Sequence, residues 1–238
     1  MAVEFLEFAR GPLFVATFMF MVLGLLRLVF LQTLEMWGSW TRTADHDVPW
    51  KKNVTEFIKW IIPSRNTVKT RPFLSAVSFI FHIGLILVPI FLASHLVLWE
   101  SGVGGTVPAW LSMTIPVADV LTATTIVTGL ILLAMRIFYR PLRVMSASSD
   151  YLLLIVLLVP FVSGFVALHP SMLFTSYTTM MIIHVLSAEL VFVLMPFSKL
   201  GHAVLFPFDR LSSDFYWKLS TDGPEKLARA MRGEDLKV

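Results

Sequence analysis

The sequence contains no cysteine. Disulfides, protein-held iron–sulfur clusters, a thioether-attached c-type haem and thiol-based chemistry are therefore excluded within this chain. Charge is scarce too, with Lys, Arg, Asp and Glu making up only 15% of 238 residues. No alternating pattern of roughly ten residues, the mark of a membrane barrel, is present. Phosphate-binding loops, nucleophile elbows and metal-hydrolase motifs are absent as well. What fills the chain instead is apolar. Hydrophobic residues make up 56% of it and the mean hydropathy is +0.77, far beyond a soluble domain.

Several runs reach the ~20 apolar residues that a spanning helix needs. Five are placed at about Pro12 to Leu34, Phe73 to Trp99, Ile115 to Tyr139, Tyr151 to Leu168 and residues 176–202. The first is longer than a signal-peptide core and no A-x-A-like cleavage site follows it, so it reads as a retained span. The expected fold is an all-α membrane protein, a five-transmembrane-helix bundle. Residues 1–205 form the membrane domain, with a polar loop at 35–72, and 206–238 form a tail. Apart from Arg10 and Arg27, all 19 Lys and Arg residues fall in that loop, in the 136–143 loop or in the tail counted from Lys199. The positive-inside rule makes those segments cytoplasmic and puts the N-terminus outside, in a multi-pass protein of the inner (plasma) membrane. Topology thus explains the basic excess, and nucleic acid is not a partner.

Inside the long loop, Trp50, Val54, Phe57, Ile58 and Ile61 recur at helical spacing with lysines between them. Such a helix lies in the membrane interface or packs on a partner protein. In the tail, FPFDRLSSDFYWKL and DGPEKLARAMRGE read as two short helices, with Pro224 at a first helical position and Gly233 as a stop. Trp40, Trp50, Trp60, Tyr216 and Trp217 are available there as interface anchors. Trp99, Trp110 and Tyr177 suit an aromatic belt.

The histidines carry the functional signal. His184 and His202 are 18 residues apart, five turns of a straight helix, on one face and roughly 27 Å apart along the axis. The second span runs the opposite way and holds His82 and His95. Depth therefore sorts them into an outer pair, His95 with His184, and an inner pair, His82 with His202. One imidazole from each of two helices is what six-coordinate b-type haem ligation requires. His82 and His95 lie 13 residues apart, a net turn of ~220° on a straight helix, and Pro89 between them is a candidate kink. His169, also outer, is an alternative to His95. Arg27, Arg71 and Arg136 are candidates for pairing with haem propionates, or ordinary anchors at the inner surface. Asp119, His169 and Glu100 at the outer face, and the deeply placed Glu189, are quinone-site or proton-relay candidates.

HVLSAELVFVLMPFSKLGH resembles the last span of the gamma subunit of respiratory nitrate reductases, and SFIFHIGLILVPIFLASH resembles its second span. The same fold serves cytochrome b subunits of heterodisulfide-reductase-like complexes and of membrane complexes of sulfate reducers. The resemblance implies two b haems, with His82 and His202 on the inner one and His95 and His184 on the outer one. It implies a subunit of a multi-subunit, quinone-linked respiratory oxidoreductase. Electrons would pass between a menaquinone-like quinone and a cytoplasmic iron–sulfur subunit, alongside further subunits of the complex and membrane lipid. The interval between the second-span histidines is longer than in nitrate reductases, which points to a relative of that subunit. A different class fits the residues too, a haem-free transporter or membrane anchor whose histidines relay protons or bind a metal.

Overall fold

The computed structural model describes residues 1–42, 55, 65–104, 106, 108–206 and 208. The helix expected over 50–61, the anchors Trp50, Trp60, Tyr216 and Trp217, and the two tail helices lie outside these residues. Five helices are long and apolar enough to cross a membrane: Ala2–Gly38, Pro72–Phe91, Ile115–Phe138, Ser148–Leu168 and Tyr177–Phe197. Among the described residues there is no strand, only an isolated bridge between Leu92 and Met113. In a bilayer every backbone polar group must be met internally, and helices do this within one segment. The architecture is that of a multi-pass α-helical membrane protein. Its exposed Phe30, Ile86, Val120 and Leu152 suit lipid contact.

In chain order the helices are α1 (Ala2–Phe8), a π-helical turn (Ala9–Leu13), α2 (Phe14–Arg42), α3 (Arg65–Thr70), α4 (Pro72–Phe91) and α5 (Ala93–Val103). They continue with α6 (Ile115–Phe138), α7 (Arg140–Met145), α8 (Ser148–Leu168) and α9 (Tyr177–Leu194). The chain divides into two compact units. One comprises Met1–Phe20 with Arg65–Val193, the other Met21–Ser64 with Leu194–Val238.

The first unit is built around α6, which packs closely on α4 and on α8. Its buried face is unusual for a spanning helix: Thr122, Thr125, Thr128 and Gly129. Small residues let backbones approach where the hydrophobic effect cannot drive helices together. The threonine hydroxyls do not go unpaired. Thr125 Oγ1 donates to the Leu121 carbonyl at 2.7 Å and Thr128 Oγ1 to that of Thr124 at 2.7 Å. Opposite them, α4 offers Gly84, where a Cβ would overlap Thr125 Oγ1 and lie 3.1 Å from the Leu121 carbonyl oxygen. Phe81 then packs with Leu154 and Leu158 of α8. Gly84→Ala should therefore lower the thermal midpoint of the purified protein, at an overpacking cost of about 1–3 kcal/mol. Adding Thr125→Ala should recover part of the loss. A Gly84→Ala protein that melts with the wild type would show that α4 and α6 can separate freely.

Two spans differ from their sequence reading. The second does not run unbroken to Trp99: α4 ends at Phe91, and Leu92 is extended, with φ −65° and ψ 131°. Pro89 in the last turn has no N–H to give, which weakens that turn. The break is completed by the chain entering α6, because Met113 N–H donates to the Phe91 carbonyl at 2.7 Å. Beyond it α5 folds back. On a straight helix residues 89 and 99 would be about 15 Å apart along the axis, yet Trp99 Nε1 lies 3.4 Å from the Pro89 carbonyl. Trp99 also has ring neighbours. Its indole sits among Phe14, Phe18 and Phe192, at centroid distances of 5.4, 5.0 and 6.4 Å. Trp110 and Tyr177, by contrast, are exposed.

The second difference falls after α9. The helix stops at Leu194, where Pro196 cannot continue the hydrogen-bond ladder, and two short 3-10 turns follow at Met195–Phe197 and Lys199–Gly201. His202 is reached only after Ser198, whose extended backbone separates them. The five straight turns from His184 to His202 do not exist. Within the second unit, α2 meets this broken segment at a small residue: a Cβ on Gly24 would lie 2.6 Å from Pro196 Cβ.

Candidate functional site

The break at Leu92 has a chemical consequence. Because α4 ends before Ala93, the Pro89 carbonyl lacks its helical donor. It accepts instead from His95 Nδ1 at 3.2 Å, besides the Trp99 indole. A carbonyl can only accept, so the neutral His95 ring carries its proton on Nδ1 and its lone pair on Nε2. His95 lies outside the five membrane-spanning stretches, and burial away from water lowers its pKa from the ordinary histidine value. That favours the neutral form, the one that binds metals.

His184 is fixed by the same device from another helix. Its Nδ1 lies 2.8 Å from the Pro160 carbonyl of α8, again leaving the lone pair on Nε2. The imidazole reaches that carbonyl because Gly164, one turn further along α8, has no side chain. A Cβ there would stand 2.7 Å from His184 Cε1 and 2.9 Å from Nδ1.

The two rings are neighbours. Their centroids are 5.9 Å apart and their planes are within 10° of parallel. Two metal–nitrogen bonds of about 2 Å each would separate opposed Nε2 atoms by about 4 Å and ring centroids by about 6 Å. The centroid spacing alone agrees with that of two imidazoles sharing a metal. Nδ1–H bonded to a backbone carbonyl is the outer-shell arrangement that orients ligating histidines. Among the described residues no group of three or more His, Cys, Asp and Glu side chains converges on one point. A two-ligand axial site asks for none.

Arg10 joins this site unannounced by the sequence. It sits in the π-helical turn Ala9–Leu13, and such turns re-aim side chains at functional places. Its neighbour Ala9 is 0% exposed and packs against Val185, next to His184. Arg10 is thereby held one residue from a contact beside His184. A permanent cation here suits an anionic group bound beside the histidines.

Other candidates are placed otherwise. His169 does not face His184. Its Nδ1 bonds the Phe165 carbonyl at 2.8 Å and its Nε2 lies 3.4 Å from Asp119 Oδ2, so both nitrogens are spoken for. Arg136 is drawn into the turn between α6 and α8. There Nη1 donates to Ser146 Oγ at 3.0 Å and lies 3.9 Å from Asp150 Oδ2. Arg71 and Arg27 have exposed side chains. His82, on α4, has Nδ1 2.7 Å from the Ser78 carbonyl and stands edge-on to Phe81. In the other unit, His202 has Nδ1 2.6 Å from the Lys199 carbonyl. Both therefore carry the lone pair on Nε2, as the outer two do. Glu189 is buried at 4% exposure, and among the described residues neither carboxylate oxygen has a hydrogen-bond partner.

No protein-family model matches the chain, and no solved structure matches it. A protein of Nitratidesulfovibrio vulgaris, described simply as "Protein", is 37% identical over 178 residues, covering 72% of this chain and 75% of that protein. Identity of that extent over three quarters of the relative places this chain in its family.

Proposed function

We propose that this protein is the membrane cytochrome b subunit of a quinone-linked redox complex of the inner membrane. In this reading it moves electrons between a membrane quinone and a cytoplasmic iron–sulfur subunit. His95 and His184 hold one b haem. The observation that carries the reading is their geometry: parallel rings 5.9 Å apart, each with Nδ1 on a backbone carbonyl. The residues fit the group in three independent respects. The donors are neutral imidazoles with Nε2 lone pairs, Gly164 leaves room for the ring it touches, and Arg10 supplies a cation for a propionate.

The second haem rests on the sequence, which assigns His82 and His202 to the inner depth of the membrane. Haem b supplies a one-electron carrier whose potential its axial ligands and surroundings set. This chain's residues hold and orient it. Pro89 and Pro160 fix the tautomer of the outer pair. The orientation, with an outer N-terminus and a cytoplasmic tail, follows the distribution of Lys and Arg. The basic 35–72 loop and the tail are the surface offered to the iron–sulfur partner.

The test is spectroscopic. The complex purified from membranes should show reduced b-type absorption bands at two haems per copy of this chain. A folded but colourless protein overturns the reading and leaves a haem-free anchor or transporter in its place.

A further inference from the structure

Of the quinone-site and proton-relay candidates in the sequence, Asp119 and His169 lie against each other. Glu189 is placed otherwise. Glu189 lies in the middle of α9 at 4% exposure, and neither of its oxygens meets a donor among the described residues. An ionised carboxylate without a partner is strongly disfavoured in an apolar interior. The neutral acid fares little better there, because it leaves both a donor and an acceptor unmet. Such groups in spanning helices mark functional places.

Its position narrows what could meet it. Glu189 is five residues from His184, about 7.5 Å along the axis. It shares a face with Ile182, Val185 and Leu186, the face on which Leu6, Ala9 and Leu13 pack. A ligand here must therefore be largely apolar, enter from the lipid side and carry a hydroxyl or carbonyl for one polar contact. A charged or hydrated ligand is excluded by the aliphatic walls.

We propose that Glu189 is the hydrogen-bonding residue of a hydroquinone site inside the helix bundle, accepting from a ring hydroxyl about one and a half turns from His184. This inference rests on the quinone-linked reading above, and the two fail in different ways. The site is distinct from the Asp119–His169 pair, whose facing atoms lie 3.4 Å apart.

The experiment uses membranes containing the whole complex and heptyl-hydroxyquinoline N-oxide, a hydroquinone analogue whose fluorescence is quenched on binding. Glu189→Ala should weaken binding about ten-fold or more, the scale of losing a hydrogen bond to a carboxylate. Glu189→Gln, isosteric and still able to accept, should lose less and serves where the alanine variant folds poorly. Haem absorption should stay at the wild-type level in both. Coloured Glu189 variants that bind the analogue like the wild type overturn the proposal. So does weakened binding in Asp119→Asn with none in the Glu189 variants, which would move the site to the outer pair. A colourless wild-type complex would instead refute the haem reading.

Discussion

Replacing either His95 or His184 by alanine should remove one haem, and the same one in both cases. Haem content should fall from two per chain to one, and the component left in a redox titration should have an identical midpoint in the two variants. The reason is geometric. The two imidazoles lie 5.9 Å apart, each fixed by a carbonyl through Nδ1. His169 is the alternative that the sequence leaves open, but its Nε2 is turned to Asp119 and its Nδ1 to Phe165. His169→Ala should therefore keep both haems. His82→Ala and His202→Ala, following the depth assignment, should each remove the other component. Should His95→Ala keep both haems while His169→Ala loses one, the pairing described here is wrong.

Much of this site can be read from the sequence, and what cannot has a physical cause. Hydropathy alone marks five spans, because a bilayer leaves a helix no choice about its length or surface. His95 is where sequence reasoning is weakest. On a straight helix it points away from the face of His82, and Pro89 suggests only a kink. The real device is a break three residues later, stabilised by Met113, which is distant in sequence and has no local signature. The same limit hides Gly164 and Pro160. A glycine and a proline four residues apart in an apolar run look like ordinary membrane residues, and only the incoming ring of His184 gives them meaning. Arg10 is visible as the one basic residue ahead of the first span, but its placement beside the site depends on the packing of Ala9 against Val185. The straight-helix argument for His184 and His202 fails for the converse reason. Pro196 is plain in the sequence, and its power to stop the helix is a local effect that the argument overlooked.

Gly164 supports a sharper test of the outer site than removal of a ligand, since Gly164→Ala leaves every proposed ligand in place. The new methyl group would stand 2.7 Å from His184 Cε1 and 2.9 Å from Nδ1, well inside van der Waals contact. The α8 backbone cannot yield at that point without breaking its own hydrogen bonds, so the imidazole must move. Moving it lengthens or misaligns the 2.8 Å bond from Nδ1 to the Pro160 carbonyl and turns the ring relative to His95. Losing an outer-shell partner of a metal-bound histidine typically costs ten- to a hundred-fold in affinity. Gly164→Ala should accordingly release the haem that His184→Ala releases, or hold it with a weakened axial bond seen as a high-spin spectrum. The other haem should stay unchanged and report that the chain is folded. Gly11→Ala, where a Cβ would meet nothing within 4 Å, should keep both haems and serves as the matched control. Full retention of both low-spin haems in Gly164→Ala would mean that His184 has freedom these contacts deny it, and that Pro160 is not what orients the ligand.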